Sequence, residues 1–249
     1  QNDWAKTDFP THAALSAAQP TRPVALRRVD GHALWVNAAA MRAAGITAET
    51  AEPADGKILR DAAGAPTGVF VDGAMSLIYA ARPAPDRATV KRWAELGVAR
   101  CQAVGLTGMH DAGASPLEVE IYRELAAAGA IGLRVHVLLD GADPAIASLV
   151  AAGPRPDEWV SVTGVKLFAD GALGSRGAWL KAPYTDAPES HGIPILHGPA
   201  LRAAVARFAA AGFQVGVHAI GDAAAADVLA AFAAAGITPE HRFRLEHAQ

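Results

Sequence analysis

The feature that most constrains this chain is a regular alternation of short strand patterns with longer helix patterns from residue 105 onward. The strand patterns occur at 105–112, 133–140, 164–169, 214–220 and 242–247. The helix patterns occur at 86–104, 116–129, 199–211 and 222–235. Several of these helix patterns run into a glycine, the usual residue after a helix C terminus. This alternation predicts an α/β fold in which β/α units surround a parallel sheet.

The first 85 residues have a different pattern, in which short segments are separated by tight turns. A strand is predicted at 24–29 and a helix at 32–44, and later Asp-Gly turns separate short extended pieces. We therefore interpret residues 1–85 as an irregular α+β subdomain and residues 86–249 as the β/α part. The Pro-rich stretch 82–85 is the predicted boundary between them.

The composition is typical of a globular protein and argues against several other classes. Of the 249 residues, 51% are hydrophobic and 19% are charged, which supports a sizeable core. The net charge is −3 and no basic stripe is present, so nucleic-acid binding is not expected. No apolar run approaches the roughly 18 residues of a membrane span. The single cysteine excludes an internal disulfide and fits a cytoplasmic protein.

Three of the strand patterns each carry one candidate metal ligand near their C-terminal end: Lys166, His218 and His247. Side chains alternate along a strand, and the small apolar neighbours of Lys166 and His218 suit contact with helices. We therefore expect Lys166 and His218 to point into a barrel. If His247 points inward as well, Arg244 and Glu246 face outward toward the helices.

A lysine within a parallel strand needs an explanation, because an uncompensated buried ammonium is costly. Lys166 could form a structural ion pair, form a Schiff base with a carbonyl substrate, or be carboxylated by CO₂ and bridge two metal ions through oxygen. A single histidine on a strand is more often a hydrogen-bonded core residue than a ligand. Two imidazoles together with a hard oxygen ligand, however, are the set that a catalytic Zn²⁺ uses. We prefer the metal site, because a Schiff-base enzyme has no need of two flanking histidines.

Five ordered motifs give the chain a more specific resemblance. They are DGHALWVN at 30–37, PTGVFVD at 66–72, VKLFADGALGSRG at 165–177, HAIGD at 218–222 and EHAQ at 246–249. Together they resemble amidohydrolase family 3, and within it the YtcJ-like subgroup, which includes N-substituted formamide deformylase. The resemblance covers nearly the whole chain.

The resemblance implies a fold and a ligand set. Members of the superfamily have a (β/α)8 TIM barrel with a His-x-His pair on strand one, a carboxylated lysine on strand four, one histidine each on strands five and six, and an aspartate on strand eight. Lys166, His218 and His247 then match the ligands of strands four, five and six, around one or two divalent metal ions, expected to be zinc. Residues 1–85 match an insertion between strands one and two.

The chain also departs from the family pattern. It contains no His-x-His pair, and nothing follows Gln249 to supply strands seven and eight. We therefore expect a partial barrel, about strands two to six, from an internal fragment whose general-base aspartate lies beyond Gln249. The catalytic residue stays unknown, and the isolated fragment is expected to be inactive.

The expected activity is hydrolysis of a non-peptide C–N bond in a small-molecule amide or formamide, through a metal-activated water. The alternative is a truncated, non-catalytic fragment that serves as a binding or interaction module. The residues proposed to contact substrate are His32, Asp170, Arg176 and Tyr184. Asp222 fits the N-cap of the helix that follows the His218 strand, and the remaining histidines are read as ordinary residues.

Overall fold

The computed structural model describes residues 8–249, which form two compact units. Unit 1 runs to Pro83 and also includes Asp170–Ile195; unit 2 consists of Ala84–Ala169 and Leu196–Gln249. The division after Pro83 falls in the Pro-rich stretch. The segment Asp170–Ile195 lies within the predicted β/α part of the sequence, yet it belongs to unit 1, because its backbone packs against that unit's sheet.

Unit 1 contains a four-stranded antiparallel sheet in the order β1-β2-β4-β3. Its strands are β1 (Ala25–Arg27), β2 (Ala33–Val36), β3 (Gly56–Arg60) and β4 (Pro66–Asp72). Its helices are α1 (Ala13–Ala18), α2 (Ala38–Ala43) and α3 (Met75–Tyr79). Unit 1 thus combines short helices with an antiparallel sheet.

The predicted helix at 32–44 was wrong in its first half. Residues 33–36 form β2, which pairs with β4 through Ala33 and Val71, and α2 begins only after Asn37. The Asn37 side-chain oxygen accepts a hydrogen bond from the Ala40 N–H at 2.9 Å and so caps the helix. The buried apolar residues of β2 pack with those of β4, and this packing decides the local conformation.

Unit 2 contains a five-stranded parallel sheet in the order β5-β6-β7-β8-β9, so each strand neighbours the next in sequence. Its strands are β5 (Gly108–Ala114), β6 (Arg134–Asp140), β7 (Val160–Phe168), β8 (Gln214–Ala219) and β9 (Arg244–His247). Its helices are α4 (Arg87–Ala103), α5 (Pro116–Ala127), α6 (Ala147–Ala152), α7 (Gly198–Ala210) and α8 (Asp222–Ala234). The five predicted strands and four predicted helices are present, and the short α6 was missed.

Two helices of unit 2, α4 and α5, begin at residues whose side chains cap them. The Asp86 side chain accepts from Thr89 N–H at the start of α4, and Ser115 with Glu118 forms a capping box at the start of α5. The prediction for α8 was wrong, because Gly221 occupies the N-cap and Asp222 is the first helical residue. A carboxylate in that first turn still faces the positive end of the helix dipole.

The sheet of unit 2 is strongly curled. Arg244 on the edge strand β9 donates a hydrogen bond through Nη1 to Nδ1 of His110 on the opposite edge strand β5, at 2.9 Å. Side chains of the two edge strands can meet only if the sheet bends around a concave face. Helices α7 and α8 pack against β8. Five parallel strands curled in this way form a half-barrel.

Among residues 8–249, no helix combines the length and the apolar character that crossing a lipid bilayer would require.

Candidate metal centre

Lys166 and His218 lie on the same face of the half-barrel. Lys166 on β7 is in register with Gly216 on β8, and His218 follows two residues later. Because side chains alternate along a strand, His218 shares the face of Gly216 and Lys166. Both side chains are buried, with residue exposures of 5% for Lys166 and 2% for His218. The predicted alternation of these two residues agrees with the structure.

His247 reaches the same site by a different route. The register places it beside Ala219, so strict alternation would turn it away from His218. Its backbone, however, leaves the extended conformation, with φ of +75° at His247 and +50° at Ala248. The His247 ring then lies edge-on to the His218 ring, with 4.7 Å between centroids.

Arg244 and Glu246 face the concave side, so the expectation that they point outward was wrong. Glu246 is in register with His218, and Arg244 with Gly216. Arg244 Nε donates to Glu246 Oε1 at 2.8 Å, so each neutralises the other. The prediction assumed that the side chains of β9 alternate regularly up to His247. The left-handed backbone at His247 breaks this alternation, so His247 and Glu246 can both face the concave side.

Burial is the main reason that the pKa of Lys166 falls to about 8; the charge of Arg244 also lowers this pKa, while Glu246 and Asp140 raise it. Lys166 Nζ donates to the Leu167 carbonyl at 3.1 Å and lies 3.5 Å from the centroid of the Phe168 ring. Within residues 8–249, no carboxylate forms an ion pair with Lys166. The structural ion pair considered from sequence is therefore absent, and Lys166 loses its proton more readily than an exposed lysine does.

The chemistry of these side chains limits how a metal ion could bind. In the part of the chain that the structure describes, no group of three or more His, Cys, Asp or Glu side chains is arranged to hold a metal ion. A three-ligand centre built on His218 and His247 therefore needs a ligand of another type. A carboxylated lysine supplies such an oxygen ligand, so the residues present fit a divalent ion of the zinc type.

Asp140 was missed as a residue of this site. It ends β6 and is in register with Lys166 on β7, and its charge raises the pKa of Lys166. A sequence signal for it existed, because an aspartate closes the apolar strand pattern 133–140. Acidic residues that follow a buried strand lie at its C-terminal end, where barrel sites are built.

The four residues predicted to contact substrate all lie in unit 1, whereas Lys166, His218 and His247 lie in unit 2. Nδ1 of His32 is 2.7 Å from Oδ1 of Asp72. Asp170 is fully buried.

Three further polar contacts of these candidates lie within unit 1. Asp170 Oδ2 accepts from the Trp179 N–H at 2.9 Å. Arg176 Nη2 donates to Asp186 Oδ2 at 3.0 Å. The Tyr184 hydroxyl donates to the Ala178 carbonyl at 2.8 Å, and burial raises the pKa of this tyrosine to about 12. Tyr184 is therefore a neutral hydrogen-bonding group near pH 7.

A curled parallel sheet that carries a buried lysine and clustered imidazoles on its concave face defines a protein of the β/α-barrel class. Residues 1–249 match the family model described as "Amidohydrolase family", and the chain belongs to this family. The resemblance drawn from the five sequence motifs is thereby confirmed.

Individual relatives agree with this assignment. "Putative amidohydrolase YtcJ" from Bacillus subtilis (strain 168) is 35% identical over 256 residues, which cover 100% of this chain and 48% of that protein. "N-substituted formamide deformylase" from Arthrobacter pascens is 34% identical over 138 residues, which cover 53% of this chain and 25% of that protein. The chain thus spans less than half the length of each of these relatives.

A solved structure supports the fold. The crystal structure of an uncharacterized metal-dependent hydrolase from Pyrococcus horikoshii OT3 superimposes with a TM-score of 0.66, at 20% sequence identity, over 92% of this chain and 45% of that one. The α/β architecture with a half-barrel sheet is therefore shared with a known protein.

Proposed function

We propose that this chain is part of a metal-dependent amidohydrolase that cleaves the C–N bond of a small amide or formamide. The observation that carries the proposal is the meeting of the His218 and His247 rings, 4.7 Å apart, on the face that also buries Lys166. Two names support it: one relative is an N-substituted formamide deformylase, and one structural neighbour is a metal-dependent hydrolase.

The proposed ligands are His218, His247 and carboxylated Lys166, around one or two divalent ions, with zinc as the expected metal. When bound, such an ion polarises the scissile carbonyl and supplies a water of near-neutral pKa. We assign no general base among the residues of this chain.

The surroundings of Lys166 favour its carboxylation. Its pKa of about 8 leaves a larger fraction of unprotonated amine near neutral pH than an exposed lysine would have. The amine forms an N–C bond to CO₂ and releases one proton, which leaves a carbamate anion. Arg244 disfavours an ammonium at this position, and the same positive charge stabilises the carbamate. Glu246 and Asp140 act in the opposite direction, so a carbamate at this position would rely on Arg244 and on a bound metal ion for compensating positive charge.

The substrate is proposed to be a small molecule with an amide-type bond. We retain His32, Asp170, Arg176 and Tyr184 as proposed substrate contacts. Their hydrogen-bonding groups are chemically suited to the oxygen and nitrogen atoms of an amide.

The experiment uses the full-length protein that contains residues 1–249. We expect about one to two equivalents of divalent metal by elemental analysis, formate or carboxylate release from N-substituted amides, and a carbamate signal by NMR after exposure to ¹³CO₂. His218→Ala and His247→Ala should each lose the metal, and Lys166→Met should lose the carbamate signal. His191→Ala, at an exposed histidine, serves as the matched control.

Full metal retention in both histidine variants would overturn the ligand assignment. Borohydride trapping of a substrate carbonyl on Lys166 would favour the Schiff-base alternative. A metal-free protein that binds amides without turnover would favour the non-catalytic binding module.

A further inference from the structure

Asp72, at the end of β4, combines a buried carboxylate, a left-handed backbone and an unpartnered side-chain oxygen. Its side chain is only 2% exposed, and its φ of +47° is in the left-handed region. His32 Nδ1 donates to its Oδ1 at 2.7 Å. Oδ2 is buried and, among residues 8–249, has no hydrogen-bond partner. Costs of this kind are retained where function requires the arrangement.

The unpartnered oxygen of Asp72 lies against two glycines. A Cβ atom placed on Gly171 would lie 2.2 Å from Oδ2, and one placed on Gly177 would lie 2.5 Å from it. Neither glycine has a positive φ. Their small size is therefore required by the approach of the carboxylate and not by the backbone conformation.

Gly171 and Gly177 form the neck of a short loop, 171–177. Gly171 N–H donates to the Gly177 carbonyl at 3.1 Å and closes the loop. Ile193 N–H donates to the same carbonyl at 3.0 Å. Because the Asp72 carboxylate contacts both neck residues, it holds the two ends of the loop at one point.

The loop presents Arg176. This residue has φ of +53°, and its guanidinium is braced by Asp186 at 3.0 Å while the side chain is 41% exposed. Its Nε is buried and, among the described residues, has no hydrogen-bond partner. The guanidinium is thus held in one orientation and still accessible to an acceptor oxygen.

We infer that Asp72 is a positioning residue, which anchors the neck of the loop 171–177 and, together with His32, sets the conformation in which Arg176 receives an acceptor oxygen of the substrate. The anchoring is a property of unit 1 by itself. Only the last step, contact of Arg176 with substrate, rests on the proposed function.

The anchor is tested by hydrogen–deuterium exchange of the full chain. Gly171→Ala should speed exchange in the loop 171–177 by about tenfold or more, because the new methyl group displaces the neck. Gly174→Ala is the matched control in the same loop, since its Cβ would meet no atom closer than 3.8 Å. The double variant Gly171→Ala with Asp72→Gly removes the clashing carboxylate.

We expect the two substitutions to have non-additive effects on exchange. In the Asp72→Gly background, Gly171→Ala should change the exchange rate of the loop 171–177 little, because the carboxylate that it would clash with is gone. Glycine is chosen at position 72 because it also tolerates the φ of +47°. Additive effects on exchange in the double variant would contradict the anchoring role of Asp72. Equal exchange rates in Gly171→Ala and Gly174→Ala would contradict it as well. Asp72→Asn keeps the side-chain volume and supplies a folded variant if the others unfold.

The positioning role is tested by kinetics on an amide substrate. Asp72→Asn removes the negative charge that His32 contacts and should raise KM about tenfold while kcat changes by less than about threefold; Arg176→Lys should show the same split. Asp55→Asn is the control, because its carboxylate also abuts a glycine of unit 1, Gly73, but holds no loop neck. An unchanged KM in Asp72→Asn would overturn the positioning role. Absence of hydrolase activity in the unsubstituted full-length protein would instead overturn the proposed function. The hydrogen–deuterium exchange result would still show whether Asp72 anchors the loop 171–177.

Discussion

The rings of His218 and His247 lie edge to face at 4.7 Å, although the strand register sets Glu246, and not His247, beside His218. The left-handed backbone at the end of β9 brings the two imidazoles together. A pair of histidines that could bind one metal ion is therefore a product of backbone conformation as well as of strand order.

The turn at the end of β9 should be sensitive to substitution at Ala248, where φ is +50°. Ala248→Val should destabilise the protein by about 1–2 kcal/mol, because a β-branched residue is strained in this region. Ala248→Gly should be tolerated. Urea denaturation measures the difference, and metal content reports whether His247 has moved. Equal stability of the valine and glycine variants would contradict the assigned backbone conformation.

The buried Lys166 should make stability depend on alkaline pH. Its pKa falls from 10.5 to about 8 in the folded protein, so between these values the unfolded chain binds more protons. The free energy of unfolding should therefore rise from pH 8 to 10.5, by on the order of 3 kcal/mol at most. The measurement is urea denaturation without CO₂ or metal. Lys166→Met should abolish this rise, whereas Lys57→Met, at an exposed lysine, should preserve it.

Arg244 and Glu246 should shift the pKa of Lys166 in opposite directions. Arg244 lowers this pKa and Glu246 raises it. Arg244→Gln should therefore move the lysine pKa above about 8, and Glu246→Gln should move it below. NMR titration of the metal-free protein with labelled lysine measures both. Shifts in the same direction would show that the charges on the concave face are arranged differently.

The hydrogen bond between Tyr122 and Asp111 should stabilise unit 2. The Tyr122 hydroxyl donates to Asp111 Oδ2 at 2.7 Å, and burial raises the pKa of Asp111. Tyr122→Phe should cost about 1–3 kcal/mol, because it leaves the half-buried Asp111 carboxylate without this donor. Tyr79→Phe is the control. Thermal denaturation compares the two, and an equal loss in both would mean that the hydrogen bond contributes nothing.

Much of the candidate site could be predicted from local patterns. The strand alternation of Lys166 and His218 predicted their shared face, because a regular strand transmits side-chain direction from residue to residue. The same rule failed for Arg244 and Glu246, since it cannot anticipate a left-handed residue at a strand end. A different local pattern failed at residues 33–36, where a helix was predicted and pairing with β4 forms a strand instead.

The sequence by itself determined the β/α order and the family, because helix and strand periodicities and motif residues lie in contiguous segments. It also predicts lysine and histidine as the metal ligands. Only the tertiary structure decided that His247 turns toward His218, that Arg244 and Glu246 face the concave side, and that Asp170–Ile195 joins unit 1. These outcomes depend on contacts between residues far apart in the chain, such as the Asp72 carboxylate against Gly171 and Gly177. Such contacts have no local pattern from which they could be read.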